Sequence, residues 1–299
     1  MKKFSIVALA LCLLFSLSAL AEGALRVSYL GPAGTYTEEA TRFFFEESAA
    51  LNPRETVNDA IADLLSGEAD RAVIPQENTV GGAVVNYVDA LIGAENAFVV
   101  GEVVLPISQT LMGLPGATLE DIRTVCSHAQ GLTQSARWRA EHLPNAEAVE
   151  MPSTAAAASH VAEAGDVTVA AVAAPGAAAL YGLEVLAENV QITLANKTRF
   201  YVLARQALED EGLRRAVFVA TCEGSRIDDI ILALREAGLE IVALHDRPEG
   251  SALGRYHYVI EAEDPSGVTD AQVEAISALE GVRFAGRFDA VEKGTEAGD

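Results

Sequence analysis

The sequence predicts an α/β protein of two lobes with a cleft between them, followed by a smaller C-terminal unit. Three observations carry this. From Leu25 to Arg205, short β-like runs alternate with helical segments, the pattern of a mostly parallel sheet. That stretch is long enough for two lobes. Beyond a polar, acidic linker at Gln206–Gly212 the order becomes β-α-β-β-α-β, the ferredoxin-like plan.

The elements are justified in turn. Leu25–Leu30 reads as a strand, and Thr35-x-x-Glu38 is a capping-box signature that opens a helix through about Glu47. Val57, Ile61, Leu64 and Leu65 have helical spacing, with Gly67 as the stop. Arg71–Ile74 is a strand broken by Pro75. Val84, Val85, Val88, Leu91 and Ile92 line one side of a helix, and two β-like runs follow at Ala97–Val104 and Ser108–Gly113. Thr124–Cys126 is a short strand and Gln130–His142 a helix. Ser153 or Thr154 caps the alanine-rich helix Ala155–Ala164. Val167–Ala173, Gly176–Tyr181 and Arg199–Arg205 then read as strand, helix and strand. The C-terminal run is Arg215–Thr221, Arg226–Ala237, Leu239–His245, Arg255–Ala262, Thr269–Leu279 and Val282–Arg287, with residues 291–299 read as a disordered tail.

Composition narrows the function. Met1-Lys2-Lys3, the apolar run Ile6–Leu17, and Ala19 and Ala21 at the −3 and −1 positions before Glu22 form a secretory signal-peptide pattern over residues 1–21. The apolar run is too short for a comfortable membrane span. The expectation is a periplasmic protein that begins near Glu22 and keeps no membrane anchor after cleavage. A net charge of −22 argues against nucleic acid, whose phosphates need a basic face. An anionic substrate is still possible, but the cleft must then carry its own positive potential. Cys126 and Cys222, the cysteines left after cleavage, are expected to be buried free thiols. The five histidines are scattered and no zinc-like spacing occurs, so no metal is expected.

Asn196-Lys197-Thr198-Arg199-Phe200 sets a hydroxyl, a guanidinium and a ring side by side where a strand begins. Such edges gather ligand groups in α/β proteins. Alone, Thr-Arg-Phe is an ordinary strand start. With Gly31-Pro32-Ala33-Gly34-Thr35-Tyr36, Pro75-Gln76-Glu77-Asn78-Thr79 and Ser127-His128-Ala129-Gln130 in the same order, it resembles the prephenate dehydratases. These enzymes turn prephenate into phenylpyruvate on the way to phenylalanine. The resemblance spans almost the whole mature chain. It implies a catalytic domain at 25–206, whose lobes are similar to the type II periplasmic-binding-protein fold. It also implies a regulatory ACT domain at 213–290 that pairs into a homodimer or homotetramer. No cofactor is implied.

Prephenate is a dianion that loses CO2 and its ring hydroxyl together. The enzyme must hold both carboxylates and help hydroxide leave as water. The resemblance ties Thr198 to this chemistry, as a hydrogen-bond donor to the departing oxygen. Arg199 is expected to pair bidentately with a substrate carboxylate, and Phe200 to wall the ring or pack in the core. Asn78 and Thr79 offer amide and hydroxyl contacts. Glu77, unfavourable beside a dianion, is expected to position Asn78, Arg199 or a helix terminus. Gln76 stands where relatives usually carry an apolar residue. Ser127 and His128 lead a helix whose N-terminus favours a carboxylate; Gln134 lies one turn on, with Gln130 in support. Ser153 and Thr154 match a Ser-Thr pair at another helix start, and Thr35 lies by the cleft floor. Two alternatives stand beside this reading: an arogenate dehydratase, which performs the same elimination on the amino analogue, and a solute-binding protein without catalysis. The phenylalanine-sensing elements of regulated relatives have counterparts in Gly224-Ser225-Arg226 and His245-Asp246-Arg247-Pro248. Charged Arg226 replaces a leucine there, so L-phenylalanine is expected to bind weakly or not at all.

Overall fold

The computed structural model describes residues 24–193 and 195–294, so the signal-peptide segment 1–21 lies outside the described residues. The first lobe runs β1 (Leu25–Leu30), α1 (Tyr36–Phe45), β2 (Ala49–Arg54), α2 (Val57–Ser66), β3 (Arg71–Asn78), β4 (Gly82–Ala83), α3 (Val85–Gly93) and β5 (Phe98–Pro106). The chain then crosses to a second lobe. That lobe is β6 (Thr110–Gly113), β7 (Thr124–Ser127), α4 (Ala129–Gln134), α5 (Ala136–His142), β8 (Glu147–Glu150), α6 (Thr154–Ala164), β9 (Val169–Ala173), α7 (Pro175–Tyr181) and β10 (Glu184–Ala187). It returns as β11 (Lys197–Ala204) and ends with β12 (Arg215–Glu223), α8 (Ile227–Glu236), β13 (Glu240–Pro248), β14 (Arg255–Glu263), α9 (Asp270–Ser277), β15 (Val282–Phe288) and β16 (Ala290–Glu292).

The α/β expectation holds, with one correction to the sheet. In the first lobe β2, β1 and β3 are parallel, but β11 lies between β3 and β5 and is antiparallel to both. The reason is the double crossing: a strand that comes back from the other lobe enters in the opposite sense. The two crossing segments bond to each other, Ile107 N–H to Asn196 O and Val190 N–H to Gln109 O. The second lobe has its own sheet, in the order β10-β6-β9-β7-β8. Of the strands absent from the sequence reading, β2, β8 and β10 are the outer strands of these two lobes. They are short and partly exposed, so they lack an apolar run.

Two further corrections concern punctuation. Strand β3 does not stop at Pro75. Its register on β11 slips there, with Phe200 opposite Pro75 and Arg199 opposite Glu77, so Gln76 is an extra residue in a β-bulge. Bulges are where a strand tolerates a proline. The single helix expected at Gln130–His142 is two, α4 and α5, joined at Ser135.

The C-terminal unit has the expected β-α-β-β-α-β order, with strands arranged β13-β14-β12-β15. Its sheet joins that of the first lobe through β15, where Gly286 sits opposite Val99 of β5. Gly286 has φ 134°, and a Cβ there would lie 2.2 Å from the Val99 carbonyl oxygen. Only glycine fits that approach. On one side of this seam Phe218, Leu234, Ile260 and Ile276 form the unit's own core. On the other, Val217, Val219 and Val259 pack with Tyr87, Leu91 and Tyr201 of the first lobe. The tail expectation fails over its first residues: Ala290–Glu292 pairs with β5, Lys197 bonds Glu292, and Lys293 reaches Glu39 at 3.0 Å. Residues 295–299 lie outside the described part. Among the described residues no helix is long and apolar enough to cross a membrane. Cys126 and Cys222 are free and buried, as expected, and burial pushes both thiols up.

Candidate active site

Strands expose alternate side chains on opposite faces, so only one residue in two of β11 can face the cleft. Thr198 does, and it stands opposite Asn78, which the bulge turns to the same side. Asn78 Nδ2 donates to Thr198 Oγ1 at 2.9 Å and to Asn196 Oδ1 at 2.8 Å. Its own Oδ1 accepts from the Val80 and Gly81 N–H groups, both at 2.9 Å, and from Gln130 Nε2 at 3.2 Å. Both polar atoms of the Asn78 side chain are thus occupied, and its amide nitrogen bonds Thr198. The Thr198 oxygen accepts a bond while its own proton has no protein acceptor among the described residues.

Three capping residues stand around this pair. Thr35 caps α1, His128 caps α4 and Ser153 caps α6, each by accepting a first-turn N–H. All three line the cleft with Thr154, and helix N-termini bring partial positive charge toward it. His128 Nδ1 accepts from Gln130 N–H at 3.3 Å, which leaves Nε2 as the protonated nitrogen of the neutral ring. Deeper in, Gln134 Oε1 accepts from Gln109 Nε2 and Asn196 Nδ2, both at 3.1 Å. Gln134 Nε2 and Gln109 Oε1 are buried without partners among the described residues. Together these groups bound a cavity of about 690 Å³.

Among the described residues, the arginine that lines the cleft is Arg54, at the end of β2. It pairs with Asp63 at 2.5 Å and holds that carboxyl below its usual range. Arg54, Gln109 and Asn196 were not among the residues expected to form the site. They lie on an edge strand and on the two crossing segments, which carry no periodic signal. Asn196 did open a quoted motif, though no role was read for it.

Four residues expected at the substrate are elsewhere. Arg199 faces the opposite side of the sheet, where it pairs with Glu102 and Glu261 at 2.5 Å. Burial works against its charge, but the two carboxylates outweigh that and hold its pKa above the ordinary value. Phe200 shares Thr198's face but is 2% exposed, packed with Val103, Leu105 and Val202 in the core. Ser127 is fully buried; its hydroxyl donates to Val172 O at 2.6 Å beneath α4, and a Cβ at Gly131 would meet it at 2.3 Å. Thr79 ties β3 to the start of β11 by accepting the Lys197 N–H at 3.0 Å. Glu77 is also off the cleft, 3.5 Å from Arg199. Among the described residues no cluster of three or more His, Cys, Asp or Glu is arranged to hold a metal ion.

In the C-terminal unit, Arg226 is exposed and pairs with Asp229 at 3.1 Å, so it buries no charge within the chain. Arg247 pairs with Asp89 of α3 at 2.6 Å, while Ser225, Asp246 and Pro248 are exposed and Gly224 N–H bonds Gly254 O. His245 turns inward against Tyr87 of the first lobe, and burial pushes its pKa down.

Residues 27–208 match the family described as prephenate dehydratase. The chain belongs to the prephenate dehydratase family. It is therefore a carbon–oxygen hydro-lyase. It is 35% identical over 273 residues to the prephenate dehydratase of Amycolatopsis methanolica, covering 88% of each chain. To the bifunctional chorismate mutase/prephenate dehydratase of Neisseria gonorrhoeae it is 34% identical, over 85% of this chain and 70% of the relative. The crystal structure of the Arthrobacter aurescens prephenate dehydratase in complex with L-Phe superposes with a TM-score of 0.80 at 31% identity. It covers 89% of this chain and 90% of that one.

Proposed function

We propose that prephenate binds in the inter-lobe cleft and is dehydrated there, with Thr198 beside the departing oxygen. The observation that carries this is the Asn78–Thr198 pair: the threonine oxygen accepts at 2.9 Å and its proton is left to donate. The substrate's carboxylates are received by the starts of α1 and α6 and by Arg54, and His128 adds an Nε2–H donor. As the ring carboxylate leaves as CO2, its bonding electrons complete the aromatic ring and expel hydroxide from the opposite carbon. Hydroxide takes one proton to become water, so the dianion and that proton give the phenylpyruvate anion, CO2 and water. Thr198 stabilises the negative charge that grows on the leaving oxygen. Removing its hydroxyl tests the assignment. The two crossing segments support a type II periplasmic-binding-protein-like catalytic region over 25–206.

We propose further that residues 213–290 form an ACT-type domain that assembles the chain into a homodimer or homotetramer. We also propose that L-phenylalanine is an effector. The phenylalanine complex of the Arthrobacter relative supports the second point. Within the single chain Arg226 is exposed and paired with Asp229, so it buries no charge there. Calorimetric titration with L-phenylalanine is expected to saturate and to be accompanied by inhibition; a flat isotherm would remove the effector. Export through residues 1–21 remains our reading of the N-terminal sequence. Intact-mass measurement should find a chain starting at Glu22 in the periplasmic fraction, and a soluble protein that retains Met1 would refute it.

A further inference from the structure

The face of β3 and β11 that points away from the cleft is held by one carboxylate of the C-terminal unit. In a straight strand Asn78 would share the face of Ala72 and Ile74, which pack with the first-lobe and C-terminal core. The extra residue changes this. Gln76 and Glu77 both face the C-terminal unit, and Asn78 turns into the cleft opposite Thr198. Bulges re-aim side chains in this way.

Both bulge side chains are tied to groups that converge on Glu261 of β14. Gln76 Nε2 donates to Tyr201 Oη at 3.0 Å and to Glu261 Oε2 at 3.4 Å. Tyr201 Oη donates to the same oxygen at 2.6 Å. Arg199 Nη2 reaches Glu261 at 2.5 Å and Glu102 at 2.5 Å, while its Nη1 lies 3.5 Å from Glu77. Arg215 closes the network, 2.9 Å from Glu102 and 3.0 Å from Glu261. Glu102 and Glu261 are 0% and 1% exposed, so neither finds water in place of these partners.

We propose that Arg199 and Glu261 are positioning residues whose pair, made across the seam between the first lobe and the C-terminal unit, holds the β3 bulge in the register that aims Asn78 at Thr198. The C-terminal unit is then part of what makes the cleft competent, with or without an effector. This rests on the cleft reading above. Without the Glu261 charge, Arg199 and Arg215 are left to share Glu102, with Glu77 3.5 Å from Arg199, the hold on Gln76 and Tyr201 weakens, and the bulge is free to shift along β3. Turnover suffers because Asn78 spends less time bonded to Thr198. Substrate affinity does not, because the helix starts and Arg54 are untouched.

Steady-state kinetics and hydrogen exchange of Glu261→Gln, Arg199→Lys and Asn78→Ala, all well below their melting temperatures, test this. Glu261→Gln is expected to lose about 10- to 100-fold in kcat with KM within about threefold, and to exchange faster over residues 76–83. Arg199→Lys, which keeps the charge but not the two-point geometry, should fall between it and wild type. A merely structural role would lower both melting temperatures and leave kcat alone. If Glu261→Gln keeps its turnover while Asn78→Ala loses it, the proposal is overturned. If Asn78→Ala itself turns over normally, the cleft reading fails, and exchange over 76–83 decides the positioning claim alone: acceleration supports it and no change overturns it. Should Glu261→Gln not fold, Arg199→Lys carries the same readouts.

Discussion

Replacing Thr198 by valine is expected to lower kcat by about 10²–10³-fold, the range for removing one preorganised donor from a developing oxyanion. Valine keeps the shape and removes only the hydroxyl. The fold should survive, because Asn78 Nδ2 retains Asn196 Oδ1 at 2.8 Å and Thr198 is nearly buried in a strand paired on both edges. The lost hydrogen bond itself is worth about 1 kcal/mol of stability. KM should move by no more than a few-fold, since the groups assigned to the carboxylates are elsewhere in the cleft. Kinetics with prephenate, beside a thermal melt, checks both halves. A valine variant with near-normal turnover would take Thr198 out of the reaction.

The second large effect is on stability. Gly286→Ala must fit a Cβ that would sit 2.2 Å from Val99 O and 2.5 Å from Val99 N, at a φ of 134°. Strained backbone of this kind costs about 1–3 kcal/mol, and overpacking costs about the same again. The obstruction is main chain, which cannot swing aside, so β15 must lift from β5 and open the seam. A fall in melting temperature on the order of 10 °C is expected for a chain of this size. A midpoint unchanged from wild type would mean that β15 and β5 do not approach in this way.

Much of the site was legible in the sequence because its residues sit at helix starts and strand ends, which local patterns mark. Thr35, His128 and Ser153 act as caps, and caps are short-range features. Thr198, Asn78, Gln130, Gln134 and Thr154 could be placed near them only through the family resemblance. Arg199 shows where that fails. A motif names neighbours in sequence, whereas a strand sends neighbours to opposite faces. Once Thr198 faces the cleft, alternation alone sends Arg199 away. Phe200 returns to Thr198's side, one layer deeper, under α1. The bulge at Gln76 had no such local signature, since a register slip is defined by the partner strand. Only the polar Gln76, where relatives usually carry an apolar residue, hinted that something lay behind it. The joining of the C-terminal sheet to the first lobe was equally hidden, because it depends on one glycine meeting a strand far away in sequence.

The central claim is that this cleft dehydrates prephenate. The most direct measurement incubates the purified full chain with prephenate and, separately, with arogenate, and follows the aromatic product and released CO2. The account predicts phenylpyruvate and CO2 in equal amounts from prephenate, with prephenate preferred and the reaction abolished or nearly so by Thr198→Val. Prephenate recovered unchanged, or turnover of arogenate alone, would contradict it.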